Sequence, residues 1–340
     1  MIKNYKILFI PLLLFCLVTP LGVMAYSETT SGGSLVATVK PKEPGADEIV
    51  KVNLNGYGYE LDSSLVVWYV NNKEVERGIG LKSYTFKTGS LGETTIVTIA
   101  VKTRAGRVIA KKLVFTSADV DILWEADTYT PYFYPGASLA TSGSNIEVVA
   151  IPQILDSKGN LIPSSRLIFT WRKDYKNLVN ESGYGKDSLS FRAGVSPSDH
   201  NLEVTVTSPN SVITANKKVT IPIGNPEVVV YPYKPLTGID SSHAILSSYL
   251  PTESDISLKA EPYYFPTGEV TRDNLVFNWT INNDKNITSI ADKGLLNLTL
   301  DKNREGIANI NLNVFPLLNN NQQARENFKI LFEDNSFFGF

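Results

Sequence analysis

Short stretches of alternating apolar and polar residues run the length of the chain, and their internal order repeats three times. Ser64-Leu-Val-Val-Trp68, Leu167-Ile-Phe-Thr-Trp171 and Leu275-Val-Phe-Asn-Trp279 each end on a tryptophan, at spacings of 103 and 108 residues. Two positions before it stand Val66, Phe169 and Phe277, on the same face of a strand. Thirty-one residues after it stand Ile99, Leu202 and Ile310, and thirty-three after it Val101, Val204 and Leu312. A period of two marks a strand with one buried face. Each copy also carries a strand between these two (around Phe86, Phe191 and Leu298) and a closing strand (Lys112–Phe115, Lys218–Ile221, Asn327–Phe332). Two strands open each copy: Ser34–Val39 and Ile49–Leu54, Asp121–Glu125 and Asn145–Ile151, Glu227–Tyr231 and Asp255–Ala260. Turn formers separate them, as in Lys42-Glu-Pro-Gly45, Ser157-Lys-Gly-Asn160 and Asn282-Asn-Asp-Lys-Asn286. No long amphipathic helix is evident. The pattern predicts an all-β chain of three two-sheet sandwiches, at 34–118, 119–225 and 226–334, each of seven or so short strands.

Tyr84-Thr-Phe86, Gly92, the alternation from Ile96 to Val101 and Gly106 resemble the second half of a PKD-type immunoglobulin-like domain. The Trp68 strand matches the central aromatic strand of that family, and all three units resemble it loosely, over about 300 residues. Two features depart from it. Asn71-Asn-Lys-Glu74 replaces the family's acidic Gly-Asp-Gly turn, and the antibody-type disulfide is absent. The resemblance implies three tandem immunoglobulin-like β-sandwich domains, of the kind found in bacterial exported surface arrays.

The start of the chain reads as an export signal. Lys3 and Lys6 precede twelve apolar residues, Ile7 to Val18, then the breakers Pro20 and Gly22 and the small residues of Val23-Met24-Ala25. Cleavage after Ala25 leaves 315 residues without a cysteine; uncleaved, residues 7–25 are long enough to anchor the chain in a bilayer. A lipoprotein reading through Cys16 places Leu14-Phe15 where small residues are required. All three readings put the body of the protein outside the cytoplasm, secreted or at the cell surface.

Composition removes most chemistry. Thirty-two basic residues face 34 acidic ones, so no basic excess exists to bind nucleic acid. Cys16 is the single cysteine, which excludes an intrachain disulfide and a thiolate zinc site. The two histidines lie 43 residues apart: His200 at the mouth of a strand, and His243 in a Ser-rich loop with no partner evident from the sequence. Asp119 and Asp121 mark the first junction and are too few for a calcium shell. No nucleophile elbow, phosphate loop or zinc helix is present. No catalytic residue, metal or cofactor is expected.

Two aromatic sets stand out. Trp68, Trp171 and Trp279 share the parity of the apolar positions and are expected in the cores. Trp124, Tyr129, Tyr132, Phe133 and Tyr134 surround a Pro-rich stretch, and Tyr231, Tyr233 and Tyr249 form a second such set. Both stretches follow the first strand of a unit, so they are expected near the preceding unit. There they would fix the angle between neighbours, or bind a partner, because a tyrosine buries its ring while its hydroxyl stays wet. The aromatic tail, residues 335–340, is expected to pack. The function expected is non-enzymatic: an adhesive or spacer module presenting loops to an envelope or surface protein, a pilus component or a glycan. The alternatives are an accessory module of a secreted hydrolase system and a purely structural stalk.

Overall fold

The computed structural model describes residues 34–196, 198–210, 212–282, 285–289, 294–299, 306–317 and 322–332. The export segment with Cys16 and the aromatic tail lie outside the described residues. The chain divides into two compact units. One holds 34–37, Asn53–Ser83 and Val97–Lys112; the other holds Thr38–Val52, Tyr84–Ile96 and the described residues from Leu113 onward.

Seven strands come first: β1 (Ser34–Lys40), β2 (Ile49–Tyr57), β3 (Leu65–Val70), β4 (Lys73–Ile79), β5 (Ser83–Lys87), β6 (Thr94–Lys102) and β7 (Val108–Thr116). They form two sheets, ordered β1-β2-β5 and β4-β3-β6-β7. Every second residue is buried on β2 (Val50, Val52 and Leu54) and on β6 (Val97, Ile99 and Val101), while β3 buries Val66, Val67 and Trp68 in a run.

Next come β8 (Asp119–Ala126), β9 (Asn145–Gln153), β10 (Ile168–Lys173), β11 (Lys176–Asn177), β12 (Gly183–Tyr184), β13 (Ser188–Arg192), β14 (His200–Thr207) and β15 (Thr214–Ile221). The sheet β13-β9-β8 faces the sheet β11-β10-β14-β15, to which β12 adds a short edge on β10. Val120, Ile146, Val148, Phe169, Trp171, Leu202, Val204 and Ile221 meet in one core.

The last elements are β16 (Glu227–Lys234), β17 (Gly238–Ile239), β18 (Ser248–Tyr249), β19 (Asp255–Tyr263), the short helix α1 (Thr267–Thr271), β20 (Leu275–Ile281), β21 (Lys285–Ser289), β22 (Leu295–Thr299), β23 (Gly306–Pro316) and β24 (Ala324–Phe332). Their sheets run β17-β16-β19-β22 and β18-β24-β23-β20-β21, around a core holding Val230, Leu258, Phe265, Trp279, Leu312 and Ile330.

All three repeat tryptophans are fully buried. Trp68 Nε1 donates to the Leu81 carbonyl at 3.4 Å and Trp171 Nε1 to the Lys186 carbonyl at 2.8 Å. The cross-strand partner of Trp68 is Ile99, whereas Trp171 and Trp279 face Val204 and Leu312. The long strand has therefore slid by two residues between copies. A slip of two keeps every side chain on its face, where a slip of one would turn the core outward.

Two differences from the sequence reading stand out. The strand after each tryptophan strand (β4, β11, β21) was not expected, and in the first sheet pair its residues are mostly exposed, so no apolar alternation marks it. Tyr231-Pro-Tyr-Lys234, expected to follow the first strand of its unit, is the second half of that strand, β16. Two of the new hairpins close through two-residue loops. Val70 pairs with Lys73 around Asn71-Asn72, and Lys173 pairs with Lys176 around Asp174-Tyr175. All four loop residues are left-handed, with φ of 49°, 66°, 48° and 65°, the conformation a tight twisted hairpin demands.

Candidate functional site

β8 carries the chain about 26 Å along its sandwich, at ~3.3 Å per residue. The aromatic stretch that follows is thus delivered to the third sheet pair, not to the preceding one, as its place after a first strand had suggested. Backbone bonds clamp it there in both directions. The Tyr129 N–H donates to the Phe265 carbonyl at 2.8 Å, and the Tyr264 N–H donates to the Tyr129 carbonyl at 2.7 Å. Thr128 and Pro266 form an antiparallel bridge, and Thr141 Oγ1 donates to the Tyr264 carbonyl at 2.7 Å.

Two aromatic triplets, each bracketed by prolines, meet at this clamp: Pro131-Tyr-Phe-Tyr-Pro135 and Pro262-Tyr-Tyr-Phe-Pro266. Phe133 sets its ring edge-on to Tyr231 at 5.5 Å, and Tyr134 sets its ring edge-on to Tyr263 at 5.4 Å. The Tyr264 hydroxyl donates to the Tyr134 hydroxyl at 2.7 Å, and the Tyr231 and Tyr263 hydroxyls lie 2.7 Å apart. Tyr231, Tyr263 and Tyr264 are buried. Burial, then the hydrogen bond shared with a neighbouring phenol, pushes the Tyr263 and Tyr264 hydroxyls far above the ordinary tyrosine range, so both stay neutral.

Sequence reasoning missed Tyr263, Tyr264 and Phe265, although their proline brackets mirror the triplet it did single out. The remaining candidates fall elsewhere. Trp124 packs on the core of its own sandwich, and Tyr132 is 91% exposed with its ring edge against Phe133. Tyr233 and Tyr249 line a separate groove.

Among the described residues Glu261 is the one charged residue buried at the clamp. It accepts the Tyr129 hydroxyl, and Lys259 Nζ lies 4.0 Å away. Burial nevertheless pushes its carboxyl above the ordinary value of 4.5, against the smaller opposing pulls of Lys259 and Tyr129. A carboxyl whose folded pKa exceeds its unfolded one contributes stability that is complete below 4.5 and is lost as pH rises through the folded pKa. Glu261→Gln should therefore be more stable than wild type at neutral pH, with the difference closing on acidification. Melting temperatures of the two chains from about pH 4 to pH 8 check this; a difference independent of pH contradicts it.

The groove lies on the third sheet pair, under the loop between β16 and β19, and opens to solvent with a volume of about 900 Å³. Tyr233, Asp240, His243, Tyr249, Glu253 and Asp255 line it. His243 is not unpartnered: its Nδ1 lies 2.8 Å from Asp240 Oδ2 and 2.8 Å from Ser242 Oγ. The trio has the residue types of a hydrolase triad but not its layout. A triad places the carboxylate on one ring nitrogen and the serine on the other, whereas here both crowd Nδ1. Ser242 Oγ also donates to Asp240 Oδ1 at 2.6 Å, which is a polar turn rather than an activated nucleophile.

His200 is buried, with Nδ1 2.8 Å from Asp174 Oδ2. Burial alone would raise the Asp174 carboxyl, but hydrogen bonds from Lys173, the Asn201 N–H and His200 hold it down at about 2. Among the described residues no three His, Cys, Asp or Glu side chains gather as a metal would require, and no helix is long and apolar enough to cross a membrane.

Paired, mostly antiparallel sheets around buried tryptophans make the chain an all-β protein with immunoglobulin-like β-sandwich architecture. No protein-family model and no curated protein matches it. Several solved structures resemble it. The fibronectin(III)-like modules of Clostridium thermocellum CbhA are 12% identical at a TM-score of 0.26, over 55% of this chain and 94% of that one. Three N-terminal domains of the bacteriophage RB49 outer capsid protein Hoc are 11% identical at 0.25, over 89% and 98%. A structure from a 1.5-MDa bacterial ice-binding adhesin is 11% identical at 0.23, over 90% and 100%.

Proposed function

We propose that the protein is an exported, non-enzymatic array of three immunoglobulin-like sandwiches, 34–118, 119–225 and 226–334, acting outside the cytoplasm as an adhesive spacer. The observation that carries this reading is the proline-bracketed tyrosine clamp, which joins the second sandwich to the third by backbone hydrogen bonds and buried phenols together. A flexible string of beads has no use for such a joint. A spacer that must hold its end in one direction does. The third sandwich then presents the Tyr233–Tyr249 groove to an envelope or surface protein, a pilus component or a glycan. Half-buried tyrosines beside polar side chains suit such a contact. Nucleic acid is not a partner of a chain with net charge −2, and a membrane is met only through residues 7–25 if these are retained.

Retention of the purified chain on intact cells of its source tests the reading. Saturable retention is expected, weakened about tenfold by Tyr233→Ala or Tyr249→Ala with the melting temperature kept. Retention indifferent to both substitutions, or turnover of a glycan or peptide substrate, contradicts it.

A further inference from the structure

The hairpin between β10 and β11 presents a tyrosine that neither its turn nor its packing explains. Its two-residue loop places Tyr175 at φ 65°, in the left-handed region that a bulky L-residue enters only at a cost. The corresponding loop of the first sandwich does the same backbone work with Asn71-Asn72, residues that tolerate that region well. Turn geometry therefore gives no reason for a tyrosine at 175, and neither does packing, because Tyr175 is 81% exposed.

The loop is nonetheless held firmly. Asp174 accepts from the Asn201 N–H at 2.9 Å, from Lys173 at 2.9 Å and from His200. Beneath the tyrosine, the outward face of the sheet is a row of charges set by strand register: Arg172 opposite Glu203, and Glu203 opposite Lys218. Both cations reach the one carboxylate, Arg172 at 3.2 Å and Lys218 at 3.3 Å, so the row carries one surplus positive charge. The Arg172 guanidinium also lies 5.9 Å from the centre of the Tyr175 ring. With Asn201 and Thr220 these side chains enclose an open cleft of about 320 Å³.

We propose that this cleft binds an acidic carbohydrate, with a pyranose stacked on Tyr175 and its carboxylate received by Arg172 and Lys218. An exposed ring fixed at a conformational cost offers a flat apolar platform that loses little entropy on binding. A guanidinium with a surplus charge suits a planar carboxylate, and the amide of Asn201 and hydroxyl of Thr220 match sugar hydroxyls. The site is separate from the Tyr233–Tyr249 groove and does not depend on it.

Calorimetry on the full chain, with tetragalacturonate as the probe, is the test. Binding is expected, weakened about tenfold by Tyr175→Asn and by Arg172→Gln, unchanged by Tyr233→Ala, and weakened by raising salt from about 50 to about 300 mM. Tyr175→Asn should melt at or above the wild-type temperature, because asparagine relieves the left-handed strain. Cellotetraose and hexaglutamate should bind more weakly than tetragalacturonate. Absence of tetragalacturonate binding, binding unaltered in Tyr175→Asn, or equal binding of either control overturns the proposal.

Discussion

Trp171→Ala lowers the stability of the second sandwich by about 3–5 kcal/mol, in the range of large-to-small changes in packed cores. The indole is fully buried between sheets, opposite Val204 and within the cluster of Phe169, Leu202 and Ile221. Burying up to ~250 Å² at ~25 cal/mol per Å² favours the folded state by several kcal/mol. Truncation also strands the Lys186 carbonyl, which accepts the indole N–H at 2.8 Å. Sheets on either side are held in register by their own hydrogen bonds and cannot collapse to fill the space. Denaturant unfolding and near-UV circular dichroism check the result. Unaltered stability would mean that the tryptophan is not the pivot of this core.

Tyr264→Ala costs a comparable amount, about 3–5 kcal/mol, and its effect falls on the joint between sandwiches. The ring is buried against Tyr134 and Tyr263, and its hydroxyl donates to Tyr134. Its backbone is clamped to Tyr129 and Thr141, and it is held at φ 62°, so an alanine there keeps the strain while losing the packing. Wild type should unfold its second and third sandwiches in one transition, and Tyr264→Ala should split that transition in two. Tyr264→Phe removes only one hydrogen bond and should cost about 1 kcal/mol. If the transitions stay merged in Tyr264→Ala, the phenols are not what couples the two.

The strands that carry the fold were legible because burial writes itself as period-two alternation. β2, β6, β9, β14 and β23 each show it, and each buries one face. β4 was invisible because it is an edge strand whose residues face water and obey no alternation. The junction was half legible. The composition of Thr130–Pro135 announced an aromatic contact, but its direction depends on where β8 ends, and that depends on strand length rather than on neighbourhood in sequence. Tyr263 was hidden because it ends the apolar strand β19 and reads as ordinary core, and Tyr264 because it follows that strand directly. The loop at Asp174-Tyr175 contains no glycine to signal a tight turn, so neither its conformation nor the exposure of its tyrosine could be read from residue types.

The central claim is that the tyrosine clamp makes one rigid body of the second and third sandwiches. Cys16 is the only cysteine, so a Cys16→Ser chain accepts new labels cleanly. Spin labels at Leu161→Cys and Leu236→Cys, at positions 63% and 99% exposed in the second and third sandwiches, report the distance between them by pulsed electron resonance. The account expects one narrow distance distribution, broadened when Tyr134 and Tyr264 are both changed to Ser. A broad distribution in the otherwise unaltered chain, or a narrow one indifferent to the loss of both tyrosines, would contradict it.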